Sequence, residues 1–423
     1  MLEYIERIVD RELDELFTGL AAISLDGPKG VGKTATALQR AATTYRLDTA
    51  ADSELIRAAP EQLAVAAKPV LIDEWQRVPE VWDLIRRCTD DDSAGGQFLL
   101  TGSAIPSGAA IHSGAGRIVS LRMRPLSLAE REIEKATVSL GGLLDGAGGP
   151  VRGETEIALI HYVREIIGSG FPGIRPLAPR LQRQQLDGYI SRIIEREFAE
   201  QGLRVRRPAT LRSWLAAYAS ATGSTASYST ILDAATPGLP DKPTRITTMT
   251  YRDVLSQLWL LDEVPAWYPL GREFTRLGSA PKHFLADPAL AARLLGITED
   301  SLLDPMRARV IGPQEGTILG RLFEALVALS LLTYAQASEA TVSHFRTRNG
   351  DREVDFLVQR GQSIVAIEVK LSISVGDDDV RHVLWLKQQL GSALTDMVVV
   401  YSGTRAYRRS DGVAVVPAAL LGP

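Results

Sequence analysis

The sequence predicts an α/β protein: a parallel sheet between helices, then a helical region, then a second α/β region. Strand and helix patterns alternate between residues 21 and 103, which is typical of a parallel sheet covered on both faces. The pattern is then mostly helical to about Gly296, and from Gly320 strand-like runs return behind a helix. We therefore expect three domains, at residues 1–140, 154–300 and 312–423.

The first domain begins with apolar residues at helical spacing between Tyr4 and Leu20. Three short apolar runs follow, and each predicts a buried strand that enters a loop: AAISLDG at 21–27, KPVLIDEWQ at 68–76 and QFLLTGS at 97–103. The segments between them, TATALQRAATTY and VPEVWDLIRRCTDD, predict helices.

The later domains are described by coarser patterns. In the middle, SYSTILDAA and MTYRDVLSQLWLLDEVPAWYP predict two helices and a wing. After Gly320, a helix precedes three strand-like runs, TVSHFRTRN, REVDFLVQ and SIVAIEVKLS. A further helix, the strand DMVVVYSG and a short tail complete the chain.

Composition excludes several classes of protein. The 423 residues are 45% hydrophobic and 23% charged, as in an ordinary soluble protein, with a formal net charge of −4. Cys88 is the only cysteine, which excludes an internal disulfide or a zinc site built on paired thiolates. The N-terminus lacks the pattern of a signal peptide, and no uncharged apolar stretch is long enough to span a bilayer. We expect a cytoplasmic protein with no membrane partner.

A phosphate-binding motif lies between the first predicted strand and its helix. GPKGVGKT matches GxxxxGK[ST], and we expect nucleotide contacts from Gly27, Pro28, Lys29, Gly30, Val31, Gly32, Lys33, Thr34 and the following Ala35. The glycines allow backbone N–H groups to surround an oxyanion, and the helix N-terminus adds its dipole. Lys33 would reach the β and γ phosphates, and the Thr34 hydroxyl would bind Mg²⁺. A glycine-rich turn with a chance Lys-Thr pair is the alternative.

Two acids end the second predicted strand. In VLIDE, Asp73 would complete the Mg²⁺ site and Glu74 would polarise the attacking water. A solvated turn is the alternative, but both motifs occur in the order that an ATP or GTP site requires. The guanine-reading motif NKxD is absent, which favours ATP.

Further polar residues follow these strands. Thr101 and Ser103 end the third strand, where they could sense the γ-phosphate or position the water, or be ordinary loop hydroxyls. Arg117 is the candidate for a cation that neutralises transition-state charge, from its own chain or from a neighbouring subunit. In a chain rich in arginine, a structural role for Arg117 is an equal alternative.

Together these motifs resemble bacterial and archaeal AAA-type ATPases that carry a C-terminal domain of unknown function. The resemblance rests on GPKGVGKT, KPVLIDEWQRVPE, FLLTGSA and GRIVSLRMRPLSLAE, and more weakly on GSGFP, YISRIIERE, PKHFLADPAL and GRLFE…REVDFLV…AIEVK. It implies an AAA-type P-loop core, a helical and winged-helix-like middle, and a C-terminal domain with a restriction-endonuclease-like fold.

The C-terminal residues form a pattern of their own. Asp355 lies in one predicted strand, and Glu368 and Lys370 lie on one face of the next, because side chains alternate along a strand. With Glu324 on the preceding helix, this is the PD-(D/E)xK nuclease arrangement. The carboxylates of Glu324, Asp355 and Glu368 would hold Mg²⁺, and Lys370 would activate water or stabilise charge. Alternating charges on an exposed strand are the alternative.

Three hypotheses of function follow. The leading one is an Mg²⁺-dependent ATPase that acts on DNA through a nuclease-like C-terminal domain. The segment from Arg180 to Arg212 carries eight Arg against four acids, which predicts contacts with DNA phosphates. Ordinary charge pairs along a helix are an equal alternative for this segment. The second is a nucleotide-driven regulatory switch whose C-terminal domain binds a protein partner, or a second copy, without cleaving nucleic acid. A purely binding protein with an idle phosphate loop is ranked last.

Overall fold

The first third of the chain forms a five-stranded sheet in which every strand is parallel. The computed structural model describes residues 4–104, 116–146, 151–203, 205, 207–236, 243–268, 280–303, 318–347 and 349–423. The strands are β1 Ala22–Asp26, β2 Thr43–Arg46, β3 Val70–Asp73, β4 Phe98–Gly102 and β5 Ile118–Arg122. The helices are α1 Ile8–Phe17, α2 Lys33–Leu38, α3 Ala50–Ala58, α4 Gln62–Val65 and α5 Glu80–Asp91, with a 3₁₀ turn at Trp75–Arg77.

The strand order, β2-β3-β4-β1-β5, places β1 at an interior position between β4 and β5. All three strands expected in this region are present. The helix expected from TATALQRAATTY is too long, because α2 ends at Leu38 and residues 43–46 form β2. The β-branched and aromatic residues Thr43, Thr44 and Tyr45 suit a strand, and they pair with β3.

The middle of the chain is helical, as the sequence predicts. Its elements are β6 Val138–Ser139, α6 Leu140–Leu144, β7 Gly153–Glu154, α7 Leu159–Ile167, α8 Pro179–Arg192, a π-helical turn Ile193–Glu197, α9 Phe198–Glu200, α10 Pro208–Ser220, α11 Tyr228–Ala235, α12 Arg245–Gln257, α13 Pro288–Leu294 and α14 Glu299–Leu303; a 3₁₀ turn spans Ala129–Arg131. Two of the eight arginines expected to contact DNA, Arg204 and Arg206, lie outside the described residues.

A β-hairpin follows α12 and connects the middle of the chain to its end. Its two arms are residues 260–268 and 280–286, with antiparallel bridges between Leu261 and Leu285 and between Val264 and Lys282. Ala266 on the first arm bridges to His344 in a strand of the C-terminal sheet. We call these two arms the bridging hairpin. It corresponds in position to the wing expected from the sequence.

Six strands of the last hundred residues form a mixed seven-stranded sheet with β7, in the order β7-β12-β13-β11-β10-β9-β8. Its elements are α15 Ile318–Ala337, β8 Thr341–Arg346, β9 Glu353–Arg360, β10 Ser363–Lys370, α16 Asp377–Leu390, β11 Leu394–Tyr401, β12 Arg405–Arg408, β13 Ala414–Pro417 and β14 Leu421–Gly422, with 3₁₀ turns at Gly391–Ala393 and Ala418–Leu420. The expected strands and helix are present. The tail adds β12, β13 and β14, and β14 pairs with β6 far back in the chain.

Helix α15 lies at the centre of the molecule. It contacts α1, α7 and β8, so its side chains join two earlier helices to the C-terminal sheet. By length and composition α15 is the one described helix apolar enough to cross a membrane, but 67% of its apolar window is buried inside the protein. It carries Arg321 and Glu324, and it is packed as a core helix.

Replacing Phe323 with alanine should lower the free energy of unfolding by about 3–5 kcal/mol, since the cavity left in a packed core is not refilled. Phe323 is fully buried and its ring meets the ring of Tyr162 edge-on, with centroids 5.2 Å apart. Urea unfolding followed by tryptophan fluorescence measures the change. As the control, Ile246→Ala at a side chain that is 76% exposed should change stability by no more than about 0.5 kcal/mol. Equal effects of the two substitutions would contradict this account of the core.

Candidate functional site

The phosphate-binding motif forms a loop between β1 and α2. Gly32 ends the loop at φ 102°, and a side chain on Gly27 would place its Cβ 2.1 Å from the Met123 carbonyl oxygen. Both positions therefore require glycine. The Lys33 ammonium lies inside the loop and donates hydrogen bonds to the carbonyl oxygens of Gly27 at 2.8 Å and Pro28 at 2.9 Å.

Burial changes the proton affinity of Lys33. Desolvation lowers the Lys33 pKa to about 8, although the nearby carboxylates of Glu74, Asp26 and Asp73 act in the opposite direction. A negatively charged group bound in this loop would favour the charged ammonium. The loop is thus built to receive an anion.

The Asp73 carboxylate accepts hydrogen bonds from two hydroxyl groups of neighbouring elements. Thr34, in the first turn of α2, donates to Asp73 Oδ1 at 2.6 Å, and Thr101 at the end of β4 donates to the same atom at 2.5 Å. The carboxyl ends of parallel strands meet at one edge of the sheet, which is why three residues distant in sequence converge here. This group of oxygen atoms is of the type that Mg²⁺ prefers.

Glu74 follows β3 in a left-handed backbone conformation, with φ 56° and ψ 45°. Its carboxylate Oε2 accepts hydrogen bonds from the Gln76 amide at 2.5 Å and from the Ser103 hydroxyl at 3.3 Å. The Gln76 amide also donates to the Ser103 oxygen at 3.2 Å. A non-glycine residue held at positive φ stores strain, a feature that occurs at functional sites. Gln76 and Ser103 thus hold the Glu74 carboxylate in place.

Arg117 lies at the opposite edge of the sheet from the phosphate loop. It precedes β5, whose Ile118 pairs with Ala22 at the start of β1, so roughly 16 Å of strand separates Arg117 from the loop. Its guanidinium, 48% exposed, is 2.8 Å from the Asp90 carboxylate. Arg117 therefore does not serve the phosphate loop of its own chain, and only the contribution to a neighbouring subunit stays a prediction.

Arg122, unlike Arg117, lies at the edge of the sheet that carries the phosphate loop. At the end of β5 it pairs in register with Asp26, the residue before Gly27. Burial lowers the Arg122 pKa, and its guanidinium lies over the ring of Trp259 with 5.0 Å to the centroid. Sequence reasoning passed over Arg122, although it lies in the same GRIVSLRMR segment as Arg117.

Arg122 and its neighbour Arg124 join this edge to the bridging hairpin. The Asp262 carboxylate is 3.3 Å from Arg122 and 2.8 Å from Arg124, and it is almost fully buried. Burial alone would raise the Asp262 pKa, but the two guanidinium groups outweigh it and hold the pKa below its usual range. We call this group the arginine clasp.

The helical middle also covers the phosphate loop. Lys29 at the loop tip pairs with Glu197 at 3.1 Å, and the Tyr189 hydroxyl donates to the Lys29 carbonyl oxygen at 3.1 Å. On the other side of the loop, a cavity of about 1340 Å³ opens beside Gly32 and Ala35. Its other walls include the segment before α1, further residues of α2, Met123, and residues within 164–186 and 289–300. The cavity is large enough for the base and ribose of a nucleotide.

The C-terminal residues expected to act together are close in space. Glu324 on α15, Asp355 on β9, and Glu368 and Lys370 on β10 form one cluster with Glu353. The Lys370 ammonium pairs with Glu368 at 2.8 Å, and the Val369 backbone N–H donates to Asp355 at 2.9 Å. The spatial order of helix acid, strand acid and ExK strand is the one expected from the sequence.

The centre of this cluster holds Lys282, which sequence reasoning missed. Its ammonium lies 2.7 Å from Glu324, 2.8 Å from Asp355 and 3.6 Å from Glu353, and its side chain is 1% exposed. Among the described residues, no group of three or more acids, histidines or cysteines is arranged to hold a metal ion. The Lys282 ammonium thus lies between Glu324 and Asp355, and a Mg²⁺ site of Glu324, Asp355 and Glu368 stays a prediction.

The pKa values in the cluster follow from burial and from these ion pairs. Burial raises the pKa of Glu324 and Glu368, whereas Lys282 outweighs burial at Asp355 and holds that pKa low. At Lys370, burial is outweighed by Glu368, which raises the Lys370 pKa. Lys370 is thus held protonated and suited to stabilising negative charge rather than to accepting a proton.

Three family models match separate parts of this chain. Residues 21–132 match the model of a family described as an AAA domain. Residues 160–301 and 319–421 match two domains of unknown function, DUF8612 and DUF4143. The AAA match covers the five-stranded sheet and the phosphate loop, and it confirms the AAA-type P-loop core. The nuclease-like assignment is not confirmed.

Whole-chain similarity was found to two mycobacterial proteins. An uncharacterized protein of Mycobacterium tuberculosis and another of Mycobacterium bovis are each 25% identical over 410 residues, which is 94% of this chain and 80% of the relative. The solved structure of the Aeropyrum pernix ORC2 protein, in ADPNP–ADP complexes, aligns with 71% of this chain and 96% of its own at 15% identity. Its TM-score of 0.29 is too low to support an argument about this chain.

Replacing Asp262 with asparagine should lower the free energy of unfolding at pH 7 by about 3 kcal/mol, because Arg122 and Arg124 would remain buried without their counter-ion. The depressed Asp262 pKa means that its stabilisation is present above about pH 4, the unfolded value, and is lost as the pH falls through the folded value. The difference in the free energy of unfolding between wild type and Asp262→Asn should therefore become smaller as the pH falls below about 4. Urea unfolding at pH 7 and below pH 4 measures it.

The matched control for the clasp is Asp253→Asn, which removes an exposed ion pair with Arg252. We expect that substitution to change stability by no more than about 0.5 kcal/mol at either pH. An Asp262→Asn protein as stable as wild type at pH 7 would contradict the clasp.

Proposed function

We propose that this chain is an Mg²⁺-dependent ATPase that works as a nucleotide-driven switch, with a C-terminal domain that binds a partner and does not cleave nucleic acid. The observation that carries the ATPase part is the convergence of Thr34, Asp73, Thr101 and Glu74 beside Lys33. Those groups lie at the loop where the family match identifies an AAA domain.

The phosphate loop provides the nucleotide contacts in this proposal. The backbone of residues 27–35 surrounds the phosphates, and the Lys33 ammonium exchanges its carbonyl partners for phosphate oxygens. The base and ribose enter the cavity beside Ala35. The Thr34 hydroxyl and the Asp73 carboxylate fit Mg²⁺, since both are oxygen ligands and already lie 2.6 Å apart. When bound, Mg²⁺ would neutralise charge on the phosphates.

Glu74 is the proposed general base. Its carboxylate is oriented by Gln76 and Ser103, and it is positioned to take a proton from the attacking water. Thr101 is bonded to Asp73 and, through its oxygen, to the Glu74 backbone N–H at 3.4 Å, so it connects the metal ligand to the base. Arg122, and Arg117 of a neighbouring subunit, are the candidate cations for transition-state charge.

The switch is preferred over the nuclease because of Lys282. A buried ammonium that pairs with Glu324 and Asp355 competes for these carboxylates with the metal that phosphodiester cleavage by this arrangement requires. The order of Glu324, Asp355 and Glu368 along helix and strands keeps DNA binding without cleavage as a second candidate, because a nuclease-like fold can retain the surface without the chemistry. A protein partner or a second copy of the chain fits the switch equally.

The remaining parts of the proposal concern organisation and location. We propose that residues 1–140 act as the ATPase domain, 154–300 as the helical domain that covers the nucleotide, and 312–423 as the domain that responds. The contact of Lys29 with Glu197 and the arginine clasp support this coupling, because both connect the phosphate-loop edge to the middle of the chain. A cytoplasmic location accords with the burial of α15.

Replacing Glu74 with glutamine should reduce ATP hydrolysis about 100-fold or more while ATP still binds, since only the base is lost. Replacing Lys33 with alanine should abolish binding itself. Phosphate release and the fluorescence of a labelled ATP separate the two effects. The controls are Glu80→Gln on the exposed start of α5 and Lys68→Ala, whose ammonium donates to the Leu63 carbonyl oxygen. Hydrolysis by Glu74→Gln at the wild-type rate would refute the assignment of the base.

The wild-type protein should not cleave plasmid, linear or branched DNA in Mg²⁺, with or without ATP, because Lys282 occupies the carboxylate cluster. Gel electrophoresis after long incubation measures this, with a known Mg²⁺-dependent nuclease as the positive control. Cleavage that disappears in Asp355→Ala would contradict the switch and restore the nuclease. Binding of the same DNAs, measured in parallel, distinguishes a DNA partner from a protein partner.

A further inference from the structure

Lys282 and the carboxylates around it belong to different parts of the chain. Glu324, Glu353, Asp355 and Glu368 come from α15, β9 and β10, whereas Lys282 comes from the second arm of the bridging hairpin. The cluster thus contains four carboxylates and two ammonium groups, and Lys370 is paired with Glu368. Lys282 is the cation that serves the inner carboxylates Glu324 and Asp355.

The position of the ammonium is the position that a hard cation would take. Oxygens of three carboxylates, one on α15 and two on β9, converge on Lys282 Nζ within 2.7–3.6 Å, and such oxygens are the ligands that Mg²⁺ and Mn²⁺ prefer. In addition, the Glu368 Oε2 atom is buried and has no hydrogen-bond partner within the described part of the chain. Lys282 therefore leaves one buried carboxylate oxygen of the cluster without a partner, and that oxygen is available as a ligand to another cation.

We propose that Lys282 is a built-in cation that keeps divalent metals out of the C-terminal carboxylate cluster. The Lys282 ammonium pairs directly with Glu324 and Asp355, and a divalent ion bound to the same two carboxylates would be repelled by it strongly in a poorly hydrated interior. The ammonium and the divalent ion therefore compete for this position. Removing the ammonium converts the cluster into a site for Mg²⁺ or Mn²⁺. The inference concerns the nucleotide-free chain and does not depend on ATP binding or hydrolysis.

The hairpin that carries Lys282 is also the one held by the arginine clasp. Backbone hydrogen bonds between Val264 and Lys282, at 2.8 and 2.9 Å, tie the arm with Lys282 to the arm with Asp262. Asp262 is in turn paired with Arg122 and Arg124 at the phosphate-loop edge. The bridging hairpin therefore carries Lys282 into the C-terminal cluster and is anchored, through Asp262, at the phosphate-loop edge.

The test is the binding of Mn²⁺ to the full chain without nucleotide, with free Mn²⁺ counted by electron paramagnetic resonance. We expect Lys282→Met to bind one more Mn²⁺ per chain than wild type, and Lys282→Met with Asp355→Asn to lose that ion. Mn²⁺ should also raise the Tm of Lys282→Met but not that of the double variant. The matched control is Lys387→Met, which removes a lysine that donates to the Leu394 carbonyl oxygen in the same domain and should leave Mn²⁺ binding unchanged.

A second variant guards against misfolding caused by unbalanced buried charge. Lys282→Met combined with Glu353→Gln removes one positive and one negative charge and keeps Glu324, Asp355 and Glu368; it should bind the additional Mn²⁺ as well. Equal Mn²⁺ binding by wild type and both Lys282→Met proteins would overturn the proposal. It would also be overturned if wild type already held an Mn²⁺ that Asp355→Asn releases, or if neither Lys282→Met protein folded at any Mn²⁺ concentration.

Discussion

The buried ion pairs of Asp262 connect the phosphate-loop edge to the hairpin that enters the C-terminal carboxylate cluster. Arg122 at the end of β5 and Arg124 just after it share one carboxylate from the bridging hairpin, and the other arm of that hairpin places Lys282 in the C-terminal cluster. Buried charges of this kind add little net stability, but breaking one is costly because its partners stay buried. The arginine clasp therefore contributes more to the position of the bridging hairpin than to the net stability of the protein.

The phosphate-loop edge depends on a simpler constraint. In a fully parallel sheet the carboxyl ends of all strands meet at one edge, so Asp73, Glu74 and Thr101 must approach the loop after β1. By the same rule, Arg117 lies away from the phosphate loop because it precedes β5. Arg122 lies beside the loop because it ends β5. The direction of β5 therefore determines that Arg122, and not Arg117, is near the phosphate loop.

The two carboxylate sites illustrate different solutions to burying negative charge. At Asp73, two neutral threonine hydroxyls donate to the carboxylate. At Glu324 and Asp355, the protein supplies its own cation. The two sites thus differ in the charge of the group that satisfies their carboxylates.

The sequence by itself determined most of the elements, though not β2, and the phosphate-loop residues, because these follow from local patterns: apolar runs that end in glycine or acids, and a motif whose residues adjoin one another. It also predicted that Glu324, Asp355, Glu368 and Lys370 converge, since strand alternation and order suffice. Only the tertiary structure placed Lys282 among them, about 40 to 90 residues away along the chain. A long-range ion pair leaves no periodic signal in a single sequence, so the occupant of the cluster was decided by how the bridging hairpin packs.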